Sequence, residues 1–186
     1  RTLARASAEG GARREQPIRA AVALLAALHL RFAAHPLLAD CRLAGIDLGA
    51  GFFASSVLDA LRALSALRRL ETLPDARLPL IDRLLERLTK LSTEGSARSR
   101  DFTELGWPET LLHGDPWLTN FMLTAVPSGP QLRLIDWDRA GVGPALYDLS
   151  GFLRQFPAAD RPWILDAYRE SLDGSGWCWP DLALLE

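Results

Sequence analysis

Apolar residues recur at the spacing of an α-helix over most of this chain, and one segment instead alternates apolar with polar residues. Five segments have the helical spacing, and each predicts a helix. They are residues 16–34, a segment that begins near Ser55 or Ser56 and stops before Pro74, a segment whose apolar face extends from Ile81 to Leu91, residues 145–156 and residues 160–172. The pattern therefore predicts an α+β fold that is predominantly helical.

Three other stretches lack this periodicity. Residues 1–15 are small and charged and include Gly10 and Gly11, a composition typical of a linker. Residues 37–53 contain scattered glycines and are predicted to be irregular. Residues 92–101 are rich in serine, glycine and arginine and are predicted to form a mobile loop.

The alternating segment predicts a β-hairpin in the C-terminal half. Residues 120–126 form its first strand, residues 127–130 (Pro-Ser-Gly-Pro) its turn, and residues 132–135 its second strand. Because a hairpin folds the chain back on itself, Asp136 is expected to return to the neighbourhood of Asn120.

Length, net charge, hydropathy and cysteine content limit the kinds of partner and compartment expected for this chain. The chain has 186 residues, enough for one domain with a sizeable core. Its net charge of -2 favours neither nucleic acid nor a membrane surface as a partner. No apolar run reaches the roughly 20 residues that a transmembrane helix needs. Cys41 and Cys178 lie far apart and match no metal or redox motif, which favours a reducing compartment, the cytoplasm.

Three polar side chains interrupt the apolar region around the predicted hairpin. Asp115 lies between Gly114 and Pro116, which predict a loop, while Asn120 and Asp136 flank the two strands. A carboxylate that orients a hydroxyl, with an amide oxygen and a second carboxylate that bind Mg²⁺, suits phosphoryl transfer. The alternative is structural, because Asp and Asn beside Gly and Pro are ordinary turn formers.

Two motifs in this region resemble those of a known family. HGDPWLTN (residues 113–120) resembles the HGDxxxxN motif of the aminoglycoside phosphotransferase and choline kinase family, and IDWDRAGVGPALYDL (residues 135–149) resembles its IDWxxAGxGPxxYDL segment. The resemblance implies the C-terminal lobe of a protein-kinase-like fold, with one β-hairpin after the catalytic loop. It also implies transfer of the γ-phosphate of ATP, with Mg²⁺, to a small-molecule hydroxyl.

The resemblance also implies roles for single residues. Asp115 corresponds to the catalytic base, and Asn120 and Asp136 to the Mg²⁺ ligands. His113 is expected to support the loop by hydrogen bonding to backbone near Asp136. Two further aspartates have supporting positions. Asp148 is expected to brace the catalytic loop from behind, and Asp138 either supports the metal or lies exposed on the surface.

The acceptor is expected to bind against the C-terminal helices, as in the resembled family. Asp160, Trp163, Asp166 and Glu170 are the candidate substrate-binding residues there. Acidic groups would favour an acceptor with protonated amines, such as an aminoglycoside. The alternative is that Trp163 and Tyr168 pack in the core and that the acids are solvated surface.

The resemblance covers only one lobe of such a kinase. Residues 16–186 correspond to the C-terminal lobe and residues 1–15 to a hinge remnant. There is no glycine-rich loop between two strands, and Lys90, the only lysine, lies within a predicted helix. The N-terminal ATP lobe is therefore expected to be absent from this chain, and the face that would meet it could mediate self-association. A non-catalytic kinase-like module that binds a metabolite or partner is the alternative function.

Overall fold

A computed structural model of the protein describes most of the chain. The described residues are 2–7, 12–104, 108–126, 129–177 and 179. The chain divides into two compact units. Unit 1 comprises residues 1–47 and 107–186, and unit 2 comprises the intervening residues 48–106. Helices with small sheets make the fold α+β and predominantly helical, as the apolar pattern predicts.

The helices and strands are numbered in chain order. The helices are α1 (Leu3–Ser7), α2 (Ala12–Phe32), α3 (Leu38–Ala44), α4 (Ala50–Arg68), α5 (Leu78–Glu104), α6 (Leu146–Leu153) and α7 (Arg161–Ser171). The strands are β1 (Ile46–Asp47), β2 (Glu109–Leu112), β3 (Phe121–Val126), β4 (Gly129–Leu134) and β5 (Gly141–Pro144). Helices α4 and α5 belong to unit 2, and the other elements belong to unit 1.

Strands β3 and β4 form the predicted hairpin. They pair antiparallel, with Phe121 opposite Leu134 and Val126 opposite Gly129. Pro127 and Ser128, half of the predicted turn, lie outside the described residues. The prediction of a hairpin is thus confirmed, and it fixes which residues of the two motifs become neighbours.

A second sheet was not predicted. Strand β5 lies between β1, with which it is parallel, and β2, with which it is antiparallel. These strands have only two to four residues, and β5 contains Gly141, Gly143 and Pro144, which are poor strand formers. Leu112 of β2 and Val142 of β5 are nevertheless fully buried, so burial stabilises strands that local propensity does not favour.

The core of unit 1 lies between helices α2, α6 and α7 and the hairpin. Leu25, Phe121, Phe152 and Ile164 have no exposed surface there, and the rings of Phe121 and Phe152 meet edge to face at 5.5 Å. Burial of such side chains contributes on the order of 1.5–3 kcal/mol each. Within the described ranges, no helix has both the length and the hydropathy needed to cross a bilayer.

The described residues of the predicted linker, 2–7 and 12–15, are largely helical. Helix α1 places Leu3 in the core with no exposed surface, and Thr2 forms an antiparallel bridge with Met122. Helix α2 then begins at Ala12, ahead of the predicted start at Gln16. The linker prediction is wrong for these residues because α1, with five residues, is too short to show a helical period.

Residues 37–53 are also more regular than predicted. They contain α3, the short strand β1 and the start of α4. Gly49 is the N-cap residue of α4, so the predicted start of this helix near Ser55 or Ser56 is wrong. Ser55 lies inside the helix, where its hydroxyl donates a hydrogen bond to the Phe52 carbonyl at 3.0 Å. The glycines that suggested irregular chain here flank the elements and do not interrupt their interiors, apart from Gly51 in the first turn of α4.

Helix α5 continues through residues 92–101, where a mobile loop was predicted. Gly95 costs the helix about 1 kcal/mol relative to alanine, but arginines in the same stretch are good helix formers. Lys90 lies on this helix, with its side chain 79% exposed and 3.8 Å from Glu94. Within unit 2, α5 packs against α4, and Asp82 forms an ion pair with Arg68.

We predict that Leu3→Ala lowers the free energy of unfolding by about 2–5 kcal/mol, because it opens a cavity in the core. Leu43→Ala is the matched control, since Leu43 is 88% exposed and should change stability by less than about 0.5 kcal/mol. Urea denaturation of both variants measures the difference. Equal effects of the two substitutions would show that α1 does not pack into the core.

Candidate active site

The HGD loop (residues 113–120) leaves the end of strand β2 through a glycine with a left-handed backbone. Gly114 has φ +83°, a conformation that L side chains rarely adopt. A Cβ atom at this position would lie 1.9 Å from the carbonyl oxygen of Arg139. Glycine is therefore required here both for its conformation and for the close approach of the segment that follows Asp136.

A buried carboxylate binds the start of the loop from behind. Asp148, in the first turn of α6, has no exposed surface. Its Oδ2 accepts a hydrogen bond from the backbone N–H of His113 at 2.7 Å, and its Oδ1 accepts one from Gly114 at 2.9 Å. Its Oδ2 also lies 3.3 Å from the Nε2 of His29. Three donors offset the large cost of burying a charge, and the position is the bracing one expected of Asp148.

His113 connects the two motifs. Its Nδ1 accepts a hydrogen bond from the backbone N–H of Asp115 at 3.3 Å, and its Nε2 donates one to the carbonyl of Ile135 at 2.8 Å. This pattern assigns the proton of the neutral ring to Nε2. The imidazole also meets the ring of Trp137 edge-on at 4.8 Å. His113 therefore supports the backbone on both sides of the site.

Asn120 closes the far end of the loop. Its Nδ2 donates to the carbonyl of Asp115 at 3.0 Å, and its backbone carbonyl accepts from the N–H of Ile135 at 2.9 Å. Among the described residues, the side-chain Oδ1 receives only a long hydrogen bond, at 3.5 Å, from Thr119. The amide orientation thus leaves this oxygen largely available.

Gln155 is a loop-supporting residue that the sequence pattern did not indicate. Its Oε1 accepts from the N–H of Leu118 at 2.8 Å, and its Nε2 donates to the carbonyl of Pro116 at 3.0 Å. It lies just beyond the end of α6, where the sequence shows only helical periodicity and carries no signal for this contact. The middle of the loop therefore has its own support, separate from that given by Asp148.

Asp115, the candidate base, and Asp136, one of the two candidate metal ligands, contribute the carboxylates for which the sequence predicts chemical roles. Within the described part of the chain, neither Asp115, which is half-buried, nor Asp136, which is exposed, has a side-chain hydrogen bond or ion pair. Asp136 has φ +68°, a left-handed conformation that aspartate adopts more readily than most residues other than glycine.

Asp138 does not continue the strand. Strand β4 ends at Leu134, and Asp138 lies exposed in a turn. A supporting role for Asp138 at the metal assumed that the strand continues past Asp136. The strand ends before Asp136, and the side chain of Asp138 is exposed on the surface.

Asn120 and Asp136 fit a magnesium ion in kind and number. Mg²⁺ takes one or two protein oxygens and fills its remaining positions with water and phosphate. Among the described residues there is no group of three or more His, Cys, Asp or Glu side chains that could bind a metal. A site of one amide and one carboxylate is smaller than such a group, and the role of these two residues stays a prediction.

The candidate acceptor residues on and before α7 are largely engaged with α2. Arg14 forms an ion pair with Asp160, and Arg19 forms one with Glu170 at 3.1 Å. The Arg19 guanidinium also lies 5.6 Å from the ring centre of Trp163, which is half-buried against the core. Two of the candidate acceptor residues, Asp160 and Glu170, are thus paired with arginines.

The other two residues of this region differ in exposure. Asp166 is exposed on α7. Tyr168 has no exposed surface and belongs to the core, so for this residue the packing alternative is confirmed. The role of α7 in acceptor binding stays a prediction.

A family model covers nearly the whole chain. Residues 2–185 match the model of the phosphotransferase enzyme family, and the chain belongs to that family. This confirms the family inferred from the two motifs, and it assigns the chain to a family whose general activity is phosphoryl transfer. No curated protein matches the chain at a significant level.

We predict that Gly114→Ala destabilises the protein by more than about 3 kcal/mol, because it adds a collision with backbone to an unfavourable φ. Gly174→Ala is the control: Gly174 has φ +76°, but a Cβ atom added there would have nothing within 4 Å. That variant should lose only about 1 kcal/mol. Thermal and urea unfolding measure both, and equal losses would mean that the approach of Arg139 is not a constraint.

Proposed function

We propose that this chain is the C-terminal lobe of a kinase-like phosphotransferase, which transfers the γ-phosphate of ATP to a hydroxyl of a small molecule. The observation that carries the proposal is the half-buried carboxylate of Asp115, which has no partner among the described residues although the loop around it is hydrogen-bonded at both ends. A free acid on a fixed loop suits a group that must bind a substrate.

In the proposed reaction, Asp115 accepts a hydrogen bond from the acceptor hydroxyl and aims its oxygen at the γ-phosphorus. As the new O–P bond forms and the bond to the leaving ADP oxygen breaks, the carboxylate takes the hydroxyl proton. Catalysis of this kind depends mainly on positioning and electrostatics. The hydrogen bonds of Asp148, His113 and Asn120 to the loop backbone would supply the positioning.

Asn120 and Asp136 would bind the magnesium ion, which supplies charge neutralisation at the phosphates when bound. The support comes from two features of these side chains. Donation by the Asn120 Nδ2 to the Asp115 carbonyl fixes the amide with its oxygen available. The left-handed backbone at Asp136 sets the direction of a carboxylate that has no partner in the described chain.

The ATP-binding lobe is proposed to lie outside this sequence. Kinases pair the ATP phosphates with a lysine on a strand, whereas Lys90 is on α5 beside Glu94. The position of Lys90 on a helix also favours the second candidate function, a non-catalytic kinase-like module that binds a metabolite or partner. An assay of phosphoryl transfer by the protein of the complete reading frame distinguishes the enzyme from the binding module.

The proposed acceptor carries protonated amines, as aminoglycosides do. The support is the acidic character around the loop, where Asp115 and Asp136 have no cationic partner among the described residues. Negative potential favours a cationic acceptor. The acids of the α7 region support this less, since Arg14 and Arg19 neutralise two of them.

We predict that Asp115→Asn lowers kcat by about 10²–10⁴-fold, the range for loss of a general base. Nucleotide affinity should be unchanged, because the carboxylate faces the acceptor. The measurement is a steady-state assay with ATP and Mg²⁺ on the protein of the complete reading frame. The acceptor panel comprises aminoglycosides, choline, amino sugars, homoserine and macrolides.

Asp138→Asn is the matched control for this assay, because it removes the same charge from an exposed turn nearby. It should retain kcat within about twofold of the wild type. Equal losses in both variants, or parallel loss of nucleotide binding in Asp115→Asn, would contradict the role of Asp115 as base. A wild-type protein that binds a panel compound without turnover would favour the non-catalytic module.

A further inference from the structure

Three fully buried side chains from three helices form a continuous hydrogen-bonded row behind the HGD loop. The Tyr168 hydroxyl on α7 lies 2.7 Å from the Nδ1 of His29 on α2. The Nε2 of His29 lies 3.3 Å from Oδ2 of Asp148 on α6. The same Oδ2 accepts the backbone N–H of His113 at 2.7 Å. The row therefore extends from the far side of the core to the residue two positions before Asp115.

The chemistry of the groups sets the direction of each hydrogen bond. An ionised carboxylate can only accept, so the Nε2 of His29 carries the hydrogen in its contact with Asp148. In the tautomer with its hydrogen on Nε2, the Nδ1 is an acceptor, and the Tyr168 hydroxyl donates to it. Burial and the negative charge of Asp148 raise the pKa of Tyr168, which keeps this donor protonated.

We propose that Tyr168 and His29 are positioning residues for the HGD loop. They fix the orientation of the Asp148 carboxylate and, through it, the backbone N–H groups of His113 and Gly114. Only the effect on turnover rests on the proposed function. The effect on the loop backbone does not.

A separate hydrogen bond holds the backbone of His29, so the role of its imidazole ring can be considered by itself. The Thr110 hydroxyl donates to the His29 carbonyl at 2.7 Å, and this ties α2 to the strand that leads into the loop. With the backbone fixed, the remaining freedom of His29 is rotation of its imidazole. The Tyr168 hydroxyl restrains that rotation, and without it a buried Nδ1 would lack its donor.

Tyr168→Phe tests the proposal, since it removes one hydroxyl and keeps the ring in the core. Amide hydrogen exchange, followed by NMR on this chain, reports the loop directly. The amides of His113 and Gly114 should exchange roughly 3- to 10-fold faster, the range for loss of one hydrogen bond. Unchanged exchange at both amides would overturn the proposal.

Ile164→Val is the control for general loosening of the core. Ile164 lies on the same helix, is fully buried and belongs to the same cluster, but the substitution removes no hydrogen bond. It should lower Tm by a few degrees and leave the exchange of the two loop amides unchanged relative to other amides of unit 1. If it accelerates their exchange as much as Tyr168→Phe does, the row only packs the core.

Two substitutions of His29 separate hydrogen bonding from side-chain volume. His29→Gln keeps an N–H donor that can reach Asp148, whereas His29→Leu has similar bulk and no donor. Exchange at His113 and Gly114 should be slower in His29→Gln than in His29→Leu. The same rate in both would overturn the assignment of His29.

Turnover measurements distinguish a failure of this inference from a failure of the proposed function. In the protein of the complete reading frame, Tyr168→Phe should lower kcat several-fold and leave the KM values for ATP and acceptor nearly unchanged. A raised KM with an unchanged kcat would overturn the role of these residues in positioning the base. If the wild type shows no transfer on any acceptor, the proposed function fails, while the exchange measurements still decide whether Tyr168 and His29 position the loop.

Discussion

The arrangement of the site depends on one buried charge. The Asp148 carboxylate has no exposed surface, and an isolated carboxylate in such a place would cost far more than a folded domain can supply. It is stabilised by donors that lie 35 and 119 positions away in the sequence, at His113 and His29. Helix α2, helix α6 and the start of the HGD loop are consequently fixed relative to one another, because displacing any of them leaves the charge with fewer donors.

The two residues of the site region with left-handed backbone are each held by a hydrogen bond between the two motifs. Gly114 and Asp136 both have positive φ. The Gly114 N–H donates to Asp148, and the carbonyl of Ile135, the residue before Asp136, accepts from His113. Such conformations persist when the surrounding structure determines them. Here that structure is a core in which Phe121 of the hairpin packs against Phe152 of α6. Asp115 is half-buried and Asp136 exposed, and the carboxylates of both have no partner among the described residues.

Sequence patterns predicted what is local or repeated. The period of the leucines gave the long helices, alternation gave the β3–β4 hairpin, and the two motifs indicated the family and the bracing position of Asp148. Contacts made by single residues over long separations left no such pattern. Leu3 is one apolar residue in a charged stretch, Gln155 looks like any polar residue after a helix, and the partners of β5 are two to four residues long. Tertiary burial, and not local propensity, decides these features.

The position of strand β5 also affects how much the length of unit 2 can vary. The chain leaves unit 1 after β1 and returns at β2, and both strands pair with β5 on its two sides. Adjacent strands lie about 4.8 Å apart, and Asp47 and Glu109 pair with β5 residues two positions apart, so these two residues are separated by roughly 12 Å. Unit 1 itself thereby holds Asp47 and Glu109 close together. The entropy of closing a loop grows only with the logarithm of its length. Unit 2 can therefore be lengthened, shortened or exchanged over evolutionary time with little effect on the folding of the unit that carries the HGD loop.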